Sequence, residues 1–456
     1  MTTTMTTAGT KRPLSGDNAD SSSAQSIRLL VHAVDGAIPY LTPSLLQKCF
    51  PLEQYDSHLW IGLAVRDTCV APVFSPSKTM NSIKAAAPKP SGYTFSANTS
   101  PDPWLLNYTR VTVPTFDPVQ DAIHCSPKKS ADTSTITSSS THLMVWTENG
   151  RQQITPEQYY SASDGLRSHA SVSLFDVCLS DSSQRRRRTA LQRATEWASE
   201  MMEREKQNIP KGDHTEKKWG AYLIAPTNNG EKDREAKHQH ETLQQALDTN
   251  KLSGIAFVGW QYATNHENQI SLLQSAIKQF RLDVRQTSED LAVLSTDSLL
   301  QILDTACLGI NVIGTNLPAR WAKAKKAAAF SYSGWKNHES KRMKVGQECD
   351  ISQQDLDENG CFSVLAGNAI DDKGGAWIRD SQPILPGCSC MTCRKHSRSY
   401  IYHLVMTKEL LSEILLFIHN LHHLLGLIRE LSEALKDDNQ DVFCTYIKSQ
   451  IHSVSV

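Results

Sequence analysis

Residues 254–259 read Gly-Ile-Ala-Phe-Val-Gly, a continuous apolar run of strand length with glycine at each end. A run that is apolar at every position suits a strand covered on both faces, as in a parallel sheet. Working outward, Ser171–Asp176 (SVSLFD), Ala221–Ala225 (AYLIA), Leu291–Ser295 (LAVLS) and Gly309–Ile313 (GINVI) repeat the pattern. Helical periodicity fills the gaps between them. Arg188–Arg204 sets Leu191, Ala194, Trp197, Ala198 and Met201 on one face, and His240–Asp248 and Ile270–Phe280 are the next helices. Asp297 is placed to cap a helix carrying Leu299, Leu300, Ile302 and Leu303. Such alternation implies an α/β fold with a parallel sheet covered by helices. Five such units follow an early strand at Ile27–Val34 and a short helix at Leu45–Phe50 with Thr42 as its cap. Together they suit a (β/α)8 barrel over residues 26–333. A doubly wound open sheet is the alternative, but no strand is followed by a glycine-rich phosphate loop.

The rest of the 456-residue chain differs in character. Residues 1–25 hold ten Ser or Thr and no aromatic, the composition of a disordered tail. Residues 72–118 hold eight of the nineteen prolines and read as mostly irregular. Residues 126–141 hold ten Ser or Thr and read as a flexible insertion within the barrel. Residues 334–436 form a separate subdomain, irregular to about 387 and ending in an amphipathic helix near Lys408–Leu435; residues 437–456 read as a C-terminal tail. With 47 Lys plus Arg against 48 Asp plus Glu, the chain is not a dedicated polycation for nucleic acid or anionic lipid. It has no run of eighteen apolar residues and no apolar core in its first thirty, so neither a membrane span nor a secretory signal is expected. In an intracellular setting, eleven cysteines read as thiols or metal ligands.

The densest chemical signal is Cys388-x-Cys390-x2-Cys393. Three thiolates and one imidazole fill a tetrahedral zinc shell with no open position, which makes a structural site. Gly387 allows the sharp turn this spacing needs. His419 would reach back from the long helix, while His396, His403, His422 and His423 compete on spacing alone.

These residues carry a resemblance. Asp380, Pro383, Gly387, the three cysteines, Ser397, Arg398, Tyr400, Ile401, His403, Leu404, Glu409 and Ile418-His419-Asn420 together resemble the zinc subdomain of the tRNA-guanine transglycosylase family. The likeness spans roughly residues 140–435 and is sharpest over 380–430. It implies an irregular (β/α)8 TIM-like barrel with an attached zinc-binding subdomain. It also implies one structural Zn2+ held by Cys388, Cys390, Cys393 and His419.

The same resemblance implies an active site that is missing here. The family exchanges guanine for queuine or its precursor at the tRNA wobble position. It uses a carboxylate nucleophile and a second carboxylate for proton transfer. The nucleophile motif corresponds to Gly309-Ile310-Asn311-Val312-Ile313-Gly314, so the nucleophile position falls on Gly314 and the motif's other aspartate on Asn311. The second carboxylate belongs to an Asp-Ser-Gly-Gly-Phe-Gln turn, whereas the early region carries VRDTCVAPVF, with Asp67, and the single Gly-Gly pair is Gly374-Gly375. Two substrate-reading turns are altered at Gly220–Ala225 and Val258-Gly259-Trp260. One base-reading carboxylate survives as Asp176 or Asp181, or else that residue only caps the next helix.

An intact zinc site beside missing carboxylates implies a non-catalytic subunit. Its partner would be the catalytic queuine tRNA-ribosyltransferase subunit, in a heterodimer acting on position 34 of tRNAs with GUN anticodons (Asp, Asn, His, Tyr). The helix 408–435 is the candidate partner surface. The family implies a cytoplasmic location, with some members on the outer mitochondrial surface. Arg185–Arg188, Arg320 with Lys323, Lys325 and Lys326, and Arg394 with Lys395 and Arg398 are candidate phosphate contacts. The competing functions are an active transglycosylase with carboxylates relocated to Asp67 or Asp176, and an unrelated zinc-stabilised interaction protein.

Overall fold

The computed structural model describes residues 26–33, 38–55, 57–64, 109–114, 142–147, 150–166, 168–178, 182–204, 216–224, 234–280, 289–332, 335–337, 356–365 and 379–451. Its strands are β1 (Arg28–His32), β2 (Leu59–Ala64), β3 (Arg110–Val113), β4 (Leu143–Thr147), β5 (Gly150–Ile154), β6 (Ala170–Val172), β7 (Lys217–Leu223), β8 (Gly254–Val258), β9 (Asp290–Val293), β10 (Val312–Thr315), β11 (Lys326–Ala328) and β12 (Cys361–Ser363). Eight of them close a parallel barrel in the order β1-β10-β9-β8-β7-β6-β3-β2. The β4–β5 hairpin and the antiparallel β11–β12 pair stand apart as two-stranded sheets.

The helices are α1 (Pro43–Cys49), α2 (Leu52–Tyr55), α3 (Pro156–Leu166), α4 (Gln184–Glu203), α5 (Arg234–Asp248), α6 (His266–Gln279), α7 (Leu299–Cys307), α8 (Leu317–Lys323), α9 (Met391–Lys395), α10 (Arg398–Met406), α11 (Leu410–Lys436) and α12 (Gln440–Ile451). From β6 to β10, each barrel strand is followed by one of the helices α4 to α8. This is the βα rhythm seen in the sequence, and the barrel rather than the open sheet is its outcome.

Alternation along the strands divides the core in two. Leu30, Trp60, Val111, Val172, Trp219, Ala221, Ala256, Ala292 and Val312 belong to one apolar cluster, which fills the lumen. Their chain neighbours Leu29, Ile61, Tyr222, Ile255, Leu291 and Ile313 belong to the other, between barrel and helices. Trp60 and Trp219 stack at 6.2 Å between ring centroids, so side chains plug the barrel. At the N-terminal ends of the strands, Asp290 is buried between Arg28 (2.6 Å) and Lys217 (2.8 Å), and Arg28 also lies over the Trp60 ring. Two cations offset the cost of burying that carboxylate.

Several expectations are corrected. Strand β3 lies inside the proline-rich stretch read as irregular: four residues suffice when both neighbours supply ladder bonds. The run at 309–313 does not form a strand as such. Gly309 turns at φ +85, and the strand starts at Val312. Asp297 does not cap α7; the Ser298 side chain accepts from Gln301 N. Helix α4 begins at Gln184, capped by Ser183, so the four arginines lie in its first turns. The tail expected over 437–456 contains helix α12, which buries Phe443, Cys444, Ile447 and Ile451. The expected tail at 1–25 and the insertion at 126–141 lie outside the described residues. Helix α11 is long and apolar enough to cross a bilayer, yet 78% of its most apolar window is buried inside the fold, which makes it a core helix.

Candidate metal centre and barrel mouth

The metal centre is built by a turn and two helices. Gly387 adopts φ +81 with open space around it, and the chain then turns so that Cys390 precedes α9. The Cys390 Sγ accepts from the Cys393 backbone N–H at 3.3 Å, so one thiol caps the helix that carries the next. The loop leading in is braced by Arg398, a buried side chain that donates to Ile384 O (3.2 and 3.0 Å) and to Asp380 Oδ2 (3.0 Å). Thr392 donates to Leu415 O at 2.7 Å and ties α9 to α11.

His419 points from the middle of α11 into this turn. Its Nδ1 lies 3.8, 3.6 and 3.3 Å from the sulfurs of Cys388, Cys390 and Cys393. All four ligand atoms lie within 4.8 Å of one another. Metal–sulfur bonds of about 2.3 Å and a metal–nitrogen bond of about 2.0 Å put tetrahedral S···N separations near 3.5 Å, so the donor set fits zinc. The His419 Nε2–H donates to Ala328 O at 2.9 Å, which leaves the Nδ1 lone pair facing the thiols. Asn420 clamps the same strand, accepting from Ala328 N and donating to Lys326 O. Burial opposes a charge on His419, but its bonds to Cys388 and Cys393 outweigh burial and raise its pKa to about 10. Contacts with Cys390 and Cys393 push the Cys388 thiol far down, and the same crowding pushes Cys390 up. Three sulfurs and one imidazole nitrogen gathered this closely are a donor set for a metal cation.

The competing histidines are placed elsewhere. His423 bonds Phe330 O at 2.7 Å, and burial lowers its pKa to about 3. His422 lies 4.0 Å from Cys388 Sγ and bonds Ser389 at 3.3 Å, on the rim of the cluster. His396 stacks on Tyr400, and His403 is exposed on α10.

At the barrel mouth the described polar side chains mostly bond other parts of the protein. Gly314 pairs with Leu30 on β10, at the lumen-facing position. A Cβ built there would run into the backbone carbonyl of Leu294, so no side chain fits. That carbonyl also binds the His32 ring at 2.8 Å; burial lowers the His32 pKa to about 4 and keeps the ring neutral. Thr296 donates to Gly314 O at 2.9 Å. Asn311 sits at the far end of β10, its Oδ1 accepting from Leu291 N at 2.8 Å, a backbone-holding role. Gly259, at φ +91, lets the chain pass the Ile224 carbonyl, and Trp260 is buried beside it. Asp176 is held by Arg186 through both oxygens (2.6 Å each) and by Arg193 (2.8 Å). It binds side chains of α4 and does not cap the helix backbone. Asp67, Asp181, Gly374 and Gly375 lie outside the described residues.

Comparison with known proteins adds to this geometry. A family profile described as Queuine tRNA-ribosyltransferase matches residues 127–453. The chain belongs to the queuine tRNA-ribosyltransferase family. Among its relatives is a protein of Anopheles gambiae named Queuine tRNA-ribosyltransferase accessory subunit 2, 24% identical over 432 residues, which span 93% of this chain and 83% of the relative. A Homo sapiens protein with the same name is 29% identical over 206 residues, 43% of this chain and 48% of the relative. One from Drosophila mojavensis is 30% identical over 169 residues, 37% of this chain and 34% of the relative.

Against this family background the basic clusters separate. Arg186 is spent on Asp176, and Arg188 lies 3.8 Å from Glu235. Arg320, Lys325 and Lys326 pair with Asp297, Glu413 and Asp357. Arg398 is buried against Asp380. Arg394 and Lys395 remain exposed, and with Lys48 and Arg429 they line a groove of about 650 Å³ that also borders Cys388 and His422. No carboxylate is among its described lining residues. Lys48 and Arg429 escape a reading of the sequence because they come from α1 and α11, far from the cysteine loop in the chain.

Proposed function

We propose that this chain is the non-catalytic subunit of a queuine tRNA-ribosyltransferase. It pairs with a catalytic subunit of the same family that exchanges guanine for queuine at position 34 of tRNAs with GUN anticodons. The observation that carries this reading is Gly314. Nucleophilic catalysis of base exchange needs a carboxylate over the ribose C1′. The lumen-facing position that corresponds to it has no side chain and no room for one. Asp176, a described carboxylate at the mouth, is paired with two arginines. The names of the relatives point the same way.

In this reading the chain contributes a surface and a scaffold. Cys388, Cys390, Cys393 and His419 would hold one zinc ion, which supplies no chemistry to the exchange and ties the cysteine loop to α11 and β11. Helix α11 is mostly interior, so its partner contact would come from its exposed first turn, where Leu410 and Leu411 are exposed. The basic groove beside the metal centre would meet tRNA phosphates. The complex would work in the cytoplasm, including at the outer mitochondrial surface.

The test is reconstitution. The purified chain is mixed with the catalytic subunit, and assembly is followed by light scattering alongside queuine incorporation into a GUN tRNA. A heterodimer with raised incorporation is expected. No association, and no change in the partner's activity, would overturn the reading.

A further inference from the structure

We propose that Cys307 and Cys444 form an oxidisable dithiol, a modification site that closes into a disulfide and staples the C-terminal helix to the barrel. The two sulfurs lie 2.8 Å apart although 137 residues separate them in the chain. Cys307 ends α7, a barrel helix, and Cys444 sits in the second turn of α12. Neither belongs to the metal centre or the barrel mouth, and nothing in the proposed function uses them.

The surroundings divide the labour between the two thiols. Cys307 is partly exposed, whereas Cys444 is buried. The hydrogen bond from Cys444 lowers the Cys307 pKa; burial works against this, and the Lys448 ammonium assists. Lys448 is itself fixed by Asp304, one turn before Cys307, and Asp304 also binds His266 at 2.6 Å. Cys307 is therefore the reachable, more acidic thiol and Cys444 the resolving one.

A hydroperoxide is the oxidant class that suits this arrangement. The Cys307 thiolate attacks the terminal peroxide oxygen, the O–O bond breaks, alkoxide (hydroxide from hydrogen peroxide) leaves, and the sulfur becomes a sulfenic acid. The Cys444 sulfur then attacks the Cys307 sulfur. The S–O bond breaks, the Cys444 proton departs with the hydroxyl as water, and the S–S bond forms. Peroxide gains the two electrons that the two sulfurs lose.

The structural consequence is local and long-range together. Helix α12 is otherwise held by Lys448 on Asp304, by Gln450 on Ser331 (2.7 and 2.8 Å) and by Phe443 on Trp335 at 5.5 Å. A covalent bond across 137 residues restricts the unfolded chain strongly.

The experiment treats the full zinc-loaded chain with graded hydrogen peroxide, then alkylates free thiols and digests without reductant. The expected result is a linked peptide pair containing Cys307 and Cys444, reversed by dithiothreitol. It should appear at peroxide doses that release no zinc, with a Tm several degrees above the reduced protein. Cys444→Ser should leave Cys307 as a sulfenic acid or its adducts, and Cys307→Ser/Cys444→Ser should lose both the linked pair and the Tm rise while keeping its zinc. The proposal is overturned if both thiols stay alkylatable at doses that already strip zinc. It is equally overturned if the Tm rise persists in the double variant.

Discussion

The metal centre and the barrel mouth lie in one chain of one family, and they differ in what their side chains leave open. At the metal centre four donors converge on a space the size of an ion, and two of them are held by a second contact: Cys390 by the Cys393 N–H, and His419 by Ala328 O. At the mouth three described polar side chains are bonded within the protein. His32 is turned onto Leu294 O, Thr296 onto Gly314 O, and Asp176 onto Arg186 and Arg193. A site built to bind presents unspent donors or acceptors, and a site built to hold a fold spends them internally.

Perturbing each region should break the comparison in a defined order. The largest effect belongs to Cys393→Ser. Structural zinc in small sites is worth on the order of 10 kcal/mol, so this variant should lose its metal and the cooperative melting of the subdomain, read by metal analysis and calorimetry. Next comes Asp176→Asn, which leaves the buried Arg193 short of its carboxylate. About 3–5 kcal/mol of stability should disappear, with no change in partner-dependent queuine incorporation; a selective loss of incorporation would give Asp176 a substrate role. Gly314→Asp should cost roughly 3 kcal/mol through the clash with Leu294 and a buried charge, and should not create exchange activity.

An acid limb of similar size should come from His32. Its folded pKa is about 4, against an ordinary value of 6.5. Below 6.5 the unfolded chain takes up the proton first, so this contribution is full above that pH and is lost as pH falls toward 4. The loss is about 3 kcal/mol at most, and His32→Gln should flatten that limb in urea titrations across pH 4–7. The smallest stability effect belongs to Arg394→Glu/Lys395→Glu, within about 0.5 kcal/mol for exposed positions. In the assembled complex this pair should weaken tRNA binding and reduce its salt slope.

Much of this was legible in the sequence because its signals are local. The apolar runs from 221 to 313 gave the βα rhythm, and the CxCxxC spacing marked the metal loop. What escaped depends on neighbours remote in the chain. Strand β3 needs β2 and β6 to complete its ladder. The impossibility of a side chain at Gly314 is a property of the Leu294 carbonyl, just past the neighbouring strand β9. Among five candidate histidines, Ala328 O and Phe330 O assign His419 and His423 their places. Helix α12 was within reach: Phe443, Cys444, Ile447 and Ile451 recur at three- and four-residue spacing. The Asp176 partners were also within reach, since Arg186 and Arg193 are two turns apart on one face of α4.

The central claim, a barrel kept without its chemistry, is tested most directly by guanine exchange with the zinc-loaded chain by itself on a GUN tRNA. The account predicts no incorporation above the level without protein. Turnover by the chain alone, lost on Asp176→Asn or Asp67→Asn, would contradict it and place a working carboxylate in the mouth.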